Sequence, residues 1–163
     1  MKDELEEKIL SSFPILFEKN KKYMEYKNNF DCNDGWFNLI FELCEKLSKI
    51  EGVRIAQFNE KFGRLRVFWN FNCNNKEAQG LISEYEEKSL KICEFCGDTE
   101  DSNLYKKGWW NKTLCSKHAK EFYKGKYRYT YLCKNCDFNF DYEGDLEPFQ
   151  CPKCRNEIID KII

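Results

Sequence analysis

The chain has 163 residues, 34% of them charged and 42% hydrophobic, which is enough for one ordinary domain with one or two small appendages. Twenty-seven basic and 28 acidic side chains leave a formal charge of -1, which argues against a protein that coats nucleic acid through bulk charge. The 17% of aromatic residues argue against disorder. No apolar run reaches the roughly 20 residues of a membrane span, and the charged residues after Met1 do not resemble a secretory leader, so we expect a cytoplasmic protein without a membrane partner.

The first residues carry the patterns of two helices. Apolar residues on one side predict a helix over Asp3–Ser12, and Pro14 lies just beyond its end. Apolar residues then recur at helical spacing over Trp36–Ile50, which predicts a second helix buried on more than one side. We expect the Asp34 side chain to accept from the first N–H groups of this helix, and Gly52 to occupy the left-handed position after its end.

Two strands and a third helix follow. Alternating apolar residues predict strands over Val53–Gln57 and Leu65–Phe71, with a short hairpin loop between them. A helix is predicted over Asn75–Lys91, with Asn74 as its cap. Together these elements predict a small α+β unit over residues 1–92.

A first group of metal-ligand residues comes directly after this unit. It consists of two close pairs separated by eighteen residues: Cys93, Cys96, Cys115 and His118. Three thiols and one imidazole at this spacing are typical of a tetrahedral zinc site. The second pair is expected on the first turn of a helix that ends at Gly125. The order of knuckle, hairpin and ligand-bearing helix resembles the treble-clef type of zinc finger, which would occupy residues 93–126.

A second group lies near the C-terminus. It consists of four cysteines in two pairs separated by fourteen residues: Cys133, Cys136, Cys151 and Cys154. The surrounding residues 131–155 resemble rubredoxin and the rubredoxin-like zinc ribbons. Rubredoxins usually carry glycine after each pair and have a longer loop between the pairs, whereas this chain has Asp137 and Arg155. These departures favour a structural zinc ribbon over residues 127–163, with an iron electron carrier as the alternative.

Disulfide bonds are the competing explanation for ten cysteines. A cytoplasmic location, the use of C-x-x-C pairs and a histidine that completes a set of eight ligands with seven cysteines favour metal instead. We therefore expect two Zn²⁺ ions per chain, with iron at the second site as the minor alternative. The remaining thiols, Cys32, Cys44 and Cys73, are interpreted as small core hydrophobes.

The sequence offers little for catalysis. His118 is the only histidine. If it binds zinc, no imidazole is left for general acid–base or nucleophilic catalysis. A closed site with four protein ligands leaves no position for an activated water, and glycine-rich phosphate loops are missing from the sequence. We expect that the chain is not an enzyme.

A further resemblance spans roughly residues 34–120. It rests on the helix start Gly35-Trp36, on a hairpin over residues 57–68 and on the Lys112–His118 segment. These motifs are similar to those of small uncharacterised bacterial and phage proteins, in which a C-x-x-C pair and a T-L-C-x-x-H segment often follow the hairpin. Asn59 and Phe68 depart from the lysine and tyrosine that are usual there. The resemblance implies no established activity.

The hairpin has two interpretations. Lys61, Arg64 and Arg66 can form a surface for an anionic partner. Alternatively, the three charges lie in water while Phe62 packs on the helix over residues 36–50. The sequence does not decide between a functional and a purely structural hairpin.

Nucleic acid is the second candidate partner. The two basic islands, residues 53–73 and 93–132, each carry a net charge of +3 between acidic flanks. Aromatic rings alternate with cations around them and can stack nucleobases, although packing between zinc modules is the commoner use; these rings are Trp109, Trp110, Tyr127, Tyr129 and Tyr131. The near-zero total charge disfavours this alternative.

The sequence as a whole predicts an α+β protein with a treble-clef-like zinc finger and a rubredoxin-like zinc ribbon. We expect it to act without catalysis by binding a macromolecule, with another protein as the favoured partner. A residue bias typical of AT-rich genomes and the phage resemblance favour an inhibitor of a host system that a phage or mobile element encodes. A nucleic-acid-binding module and a rubredoxin-like electron carrier are the alternatives.

Overall fold

The computed structural model describes residues 1–17, 30–69, 75–107, 110–123, 128–143, 150–157 and 159–161. The chain divides into two compact units, one of Met1–Tyr105 with Asn111–His118 and one of Lys106–Trp110 with Ala119–Ile163. Both contain short strands, and helices accompany them, so the predicted α+β class is confirmed. The predicted boundary between residues 126 and 127, like Cys73, lies outside the described residues.

Two of the first unit's helices lie where the apolar periodicity predicts them. Helix α1 spans Asp3–Ser12, and helix α2 spans Phe37–Leu47 after a single 3-10 turn over Asp34–Trp36. The expected capping bond is wrong, because the Asp34 carboxylate accepts from the backbone N–H of Lys2 at 2.9 Å. That bond joins the start of α1 to the start of α2.

Helix α3 spans Lys76–Lys88 and continues into a 3-10 turn over Ser89–Lys91. Its cap is Asn75, whose side-chain oxygen accepts from the N–H of Ala78 at 3.1 Å. The predicted cap, Asn74, lies outside the described residues. A side-chain acceptor at this position satisfies one of the free N–H groups at the helix start.

The first unit contains a three-stranded sheet. Strands β1, Phe30–Asp31, β2, Ile55–Lys61, and β3, Arg64–Trp69, lie in the order β1-β2-β3. Strand β1 is parallel to β2, and β2 is antiparallel to β3. The loop of the β2-β3 hairpin is only Phe62 and Gly63, with φ angles of 57° and 78°. Two successive positive φ angles match the twist of the flanking strands in a two-residue hairpin.

The core of the first unit lies between α2, α3 and the sheet. Trp36 and Tyr85 are the largest side chains that are fully buried, and the aliphatic face of α2 lies beside them. Burial of each large aliphatic side chain contributes roughly 1.5 to 3 kcal/mol. The aliphatic residues of α2 with at most 5% exposure are Leu39, Ile40, Leu43 and Leu47.

The edge of β3 that does not pair with β2 is bonded to α3 and to the turn that follows α3. The N–H of Leu65 donates to the Ser89 hydroxyl at 2.9 Å, and the N–H of Val67 donates to the Glu86 carboxylate at 3.0 Å. Because alternate N–H groups of a strand point outward, these two side chains supply the acceptors on that side of the sheet.

The remaining elements lie in the part of the chain that contains the cysteines of the two predicted metal sites. Strands β4, Ser102–Lys107, and β5, Trp110–Cys115, pair with each other, and helix α4, Ser116–Phe122, follows β5 without a break. In the second unit, β6 pairs antiparallel with both β7 and β8. Their bounds are Arg128–Cys133, Asn139–Glu143 and Ile159–Lys161. No helix in the described part of the chain is long and apolar enough to cross a membrane.

Candidate metal centres

The first cluster brings together the four residues that the sequence singles out. One sulfur or nitrogen of each of Cys93, Cys96, Cys115 and His118 lies within 4.8 Å of all the others. Cys93 Sγ lies 3.5 Å from His118 Nδ1, and Cys96 Sγ lies 3.8 Å from Cys115 Sγ. Tetrahedral zinc with bonds of about 2.3 Å to sulfur and 2.0 Å to nitrogen needs donor separations of about 3.5 to 3.8 Å. The spacing of the donors therefore fits an ion of this size.

Two elements present the second pair of donors. Cys115 is the last residue of β5, and His118 lies on the first turn of α4, so only the histidine is on the helix as expected. The Asp101 carboxylate accepts from the backbone N–H of Ser116 at 3.2 Å and from its hydroxyl. The imidazole of His118 stacks on Phe95 with ring centroids 5.6 Å apart. These contacts orient both donors toward the cysteine knuckle.

The knuckle that carries the first pair is closed by backbone bonds. The N–H of Gly97 donates to the Cys93 carbonyl, and the N–H of Cys93 donates to the Asp98 carbonyl, both at 2.8 Å. Burial raises the pKa of the Cys93 thiol, but N–H groups of Cys115 and Cys96 that donate to the sulfur outweigh it, so this pKa lies below its ordinary value. The knuckle thereby favours the thiolate, which is the form that binds metal.

The same knuckle is bonded to the start of α2. The N–H of Gly35 donates to the Glu94 carbonyl at 2.8 Å, and the indole N–H of Trp36 donates to the Ile92 carbonyl at 3.0 Å. A Cβ atom on Gly35 would lie 2.2 Å from the Cys93 carbonyl oxygen. The Gly-Trp motif thus has a structural role, because only glycine lets the backbones approach this closely.

Glu94, between the two cysteines of the knuckle, is a buried charge that the sequence analysis missed. Its side chain has no exposed surface, and one carboxylate oxygen accepts from the Asn33 amide at 2.7 Å. The other lies 2.8 Å from Lys112 Nζ, which also lies 2.8 Å from the Glu60 carboxylate. Burial opposes the charge of Lys112, but Glu94 and the bonds to both carboxylates raise the pKa of this ammonium. A single acidic residue in a loop gives no sequence signal of such a network.

Most polar groups of the β2-β3 hairpin have partners within the first unit. The Gly63 carbonyl accepts from the Thr113 hydroxyl at 2.6 Å. Arg64 forms ion pairs with Glu86 at 3.6 Å and Glu87 at 2.7 Å, and Arg66 pairs with Glu86 at 2.9 Å. Of the predicted partner surface, Lys61 alone forms no ion pair with a residue that the structure describes.

Of the two interpretations of the hairpin, the one that packs Phe62 on the second helix is wrong. Its side chain is 68% exposed, because Phe62 occupies the first position of the turn and therefore points away from the core. The hairpin is anchored instead by Gly63, where a Cβ atom would lie 2.3 Å from Leu104 Cδ1.

The second cluster also brings its four predicted residues together. The sulfurs of Cys133, Cys136, Cys151 and Cys154 all lie within 4.8 Å of one another. Cys133 Sγ lies 3.4 Å from Cys154 Sγ, and Cys136 Sγ lies 3.9 Å from Cys151 Sγ. These separations also suit a tetrahedral ion bound by four thiolates.

Asp137 and Arg155 adopt the backbone conformation that glycine takes in the first knuckle. Their φ angles are 51° and 59°, against 78° for Gly97. Each donates its N–H at 2.8 Å to the carbonyl of the first cysteine of its pair, as Gly97 does. The two knuckles of the second cluster therefore keep the same backbone bond without glycine. They do so with two residues in the left-handed region, which is sterically unfavourable for a side chain.

Two thiols of the second cluster have pKa values shifted in opposite directions. The backbone N–H of Asn156 and the side chain of Asn135 donate to Cys154 and lower its pKa to about 6. Burial and the neighbouring thiols raise the pKa of Cys136 to about 12. Close thiols cannot all ionise without a cation between them, because like charges at this distance repel. A bound divalent ion would relieve that repulsion.

Two of the three remaining cysteines belong to the hydrophobic core, as predicted. Cys32 is 7% exposed and Cys44 is fully buried. Burial raises the pKa of the Cys32 thiol to about 12 and that of Cys44 further. Both therefore remain neutral thiols that are poor nucleophiles.

The described residues thus contain two four-donor clusters of cysteine and histidine whose geometry is compatible with metal binding. Comparison of the chain with protein-family models, with curated proteins and with solved structures found no match. The family resemblances drawn from the sequence stay predictions.

Proposed function

We propose that the chain binds two structural Zn²⁺ ions and acts, without catalysis, by docking on another protein. The supporting observation is that each cluster supplies four protein donors within 4.8 Å of one another. Four such donors saturate tetrahedral zinc and leave no position for water or substrate. Thiolates with one imidazole also prefer zinc to the hard cations that bind carboxylates.

The surroundings of the donors support a more specific assignment. In the first cluster, a knuckle, a hairpin and a helix follow each other, and this is the order of a treble-clef-like zinc finger. In the second, two knuckles accompany the three-stranded β6-β7-β8 sheet, as expected for a rubredoxin-like ribbon. Since His118 is the only histidine and its Nδ1 faces the first cluster, it is committed to the metal and not to acid–base chemistry.

Ion pairing within the chain supports a protein partner over nucleic acid. Arg64 and Arg66 pair with carboxylates of α3, and Lys112 pairs with Glu60 and Glu94. Cations that are already neutralised release few counterions from a nucleic acid, and release of counterions dominates non-specific binding. The resemblance to phage-borne proteins favours a partner in a host system.

One observation supports nucleic acid as the second candidate. Phe138 is 36% exposed, and Lys153 Nζ lies 5.3 Å from the centre of its ring. An exposed ring beside a cation is the arrangement that stacks single-stranded bases. A single ring of this kind supports only weak binding.

Elemental analysis and binding assays test the proposal together. We expect two zinc ions per chain in protein made in its own host, specific capture of one host protein, and DNA or RNA binding weaker than micromolar at low salt. One iron with reversible visible-range bleaching would replace the proposal by the electron carrier. Sub-micromolar DNA or RNA binding with a steep salt dependence, lost in Phe138→Ala, would replace it by the nucleic-acid module.

A further inference from the structure

The tip of the β2-β3 hairpin carries an aromatic residue that is largely exposed. Phe62 has a φ angle of 57° and a side chain that is 68% exposed. This is the largest exposed fraction among the large hydrophobic side chains that the structure describes. The left-handed region is sterically costly for a bulky side chain, and asparagine or glycine is the usual residue at this position of such a turn. A strained residue that gains no burial points to a role outside the fold.

The neighbours of Phe62 separate into two groups. Glu60 accepts from the N–H of Gly63 at 2.5 Å and pairs with Lys112, so it is part of the fold. Lys61, in contrast, is exposed and forms no ion pair with the described residues. Leu104, whose Cδ1 lies against Gly63, is 38% exposed. Phe62 and Lys61 are thus exposed at the turn, and Leu104, which packs against Gly63, keeps part of its side chain exposed. We name these three residues the tip patch.

We propose that Phe62 is the anchor by which the protein docks on its partner. The ring enters an apolar pocket of another protein, Leu104 packs at the edge of that pocket, and a carboxylate on its rim pairs with Lys61. The occupant follows from the chemistry of the tip patch. An exposed ring next to Lys61, which pairs with no carboxylate among the residues that the structure describes, complements an apolar pocket with an acidic rim. This inference rests on the proposed function, because it names the docking surface of that binding module.

A first measurement uses the purified zinc-loaded protein alone. Phe62→Asn replaces the ring by a residue that the left-handed turn accepts, so we expect an unchanged or higher melting temperature. Ile15→Asn is the matched control, since Ile15 is also exposed, at 48%, but lies far along the chain in a 3-10 turn. A fall in melting temperature for Phe62→Asn would show that the ring stabilises the fold, and it would overturn the inference.

A second measurement identifies the contact. A photoreactive benzoyl-phenylalanine is placed at position 62 or, as the control, at position 15, and the cross-linked protein is identified. That partner is then purified and titrated with each variant. We expect cross-linking from position 62 only. Phe62→Asn should raise the dissociation constant at least about 30-fold, as for a central anchor. Lys61→Glu should raise it several-fold and remove the salt dependence of binding. Ile15→Asn should bind like the wild type.

The contradicting outcomes are distinct. If the purified partner binds Phe62→Asn as tightly as the wild type, the anchor is wrong while the proposed function stands. If the wild type binds no protein, both fail. Concentration-dependent dimers that Phe62→Asn abolishes would identify a second copy of the chain as the occupant. Co-sedimentation with anionic vesicles that depends on Phe62 would identify a lipid surface. Either result would overturn the partner assigned here.

Discussion

The two cysteine clusters differ in how far along the chain their supporting contacts reach. The first knuckle is bonded to Asn33 and Trp36, which lie 61 and 56 residues away from their partners. Around the second cluster the contacts reach less far: the Asn135 side chain donates to Cys154, 19 residues away, and the β8 residue that pairs with Cys133 is Ile159, 26 residues away. The first ion would therefore hold distant segments of one core together, while the second would close a local loop.

This difference shows that two sites with nearly the same donors can have different consequences for folding. Metal binding is coupled to folding wherever the ligands are assembled only in the native state. In the first unit, assembly of the ligands also requires the start of α2, the β2-β3 hairpin and the buried Glu94. We therefore expect the stability of α2 to depend on the first ion and not on the second.

The largest expected effect comes from removal of one ligand in each cluster. Cys93→Ser and Cys133→Ser should each lower the zinc content from two ions to one. Because structural zinc contributes on the order of 10 kcal/mol in small modules, Cys93→Ser should abolish the protection of α2 amides from hydrogen exchange, whereas Cys133→Ser should preserve it. Cys44→Ala, at a buried thiol outside both clusters, should retain two ions. Equal loss of α2 protection in both serine variants would remove the contrast.

Gly35→Ala tests the backbone contact between the first knuckle and α2. A Cβ atom there would meet the carbonyls of Cys93 and Glu94 at 2.2 and 2.6 Å, so we expect a loss of about 3 kcal/mol in the free energy of unfolding. Gly80→Ala is the matched control, since nothing lies within 4 Å of its Cβ position, and it should stabilise α3 by about 1 kcal/mol. Denaturant titration of both variants measures the difference, and a neutral Gly35→Ala would contradict the described packing.

Glu94→Gln tests the buried charge. The amide keeps the size of the carboxylate but presents N–H groups toward the donors of Lys112 or Asn33, so we expect a loss of about 2 kcal/mol. Glu45→Gln removes an exposed pair with Lys49 at 3.4 Å and should cost less than about 0.5 kcal/mol. Thermal unfolding of the zinc-loaded proteins compares the two, and similar costs would mean that Glu94 is not buried as described.

The smallest effect concerns the left-handed residues of the knuckles. Arg155→Gly removes a strained side chain. It should raise the free energy of unfolding of the second unit by about 1 kcal/mol or less, and the melting temperature slightly with it. Gly97→Ala should do the opposite in the first unit, because its Cβ would lie 3.0 Å from the Gly35 carbonyl oxygen. Opposite shifts in calorimetry are expected, and a destabilising Arg155→Gly would show that the arginine side chain has a contact that outweighs the strain.

Regular elements and ligand sets were the parts that the sequence could predict. The apolar period gives α1 with its observed bounds, and α3 within three residues at its end. Pairs of ligands three residues apart mark both clusters, because a metal knuckle is encoded locally. Strand β1 could not be predicted, since it is two residues long and residues 15–33 fit no single periodicity.

The contacts between elements were not predictable. The sequence shows Glu94 and Lys112 as ordinary charges, and their pairing depends on how the knuckle meets the hairpin. Asp34 was predicted as a cap on composition, yet its carboxylate bonds to Lys2 because the start of α1 lies beside it. One of the two interpretations of the hairpin placed Phe62 on the second helix because Phe62 is hydrophobic, but hydrophobicity carries no information on the direction that a turn residue faces.

The bonds from Ser89 and Glu86 to the outer side of β3 also affect how copies of the chain behave together. An edge strand with free N–H groups is a template on which a strand of another molecule can pair, and this is a common route to aggregation. In β3, the N–H groups of Leu65 and Val67 are already occupied by side chains 24 and 19 residues further along the chain. An incoming strand would have to displace both acceptors. The side chains of α3 and of its following turn therefore disfavour the addition of a further strand at β3.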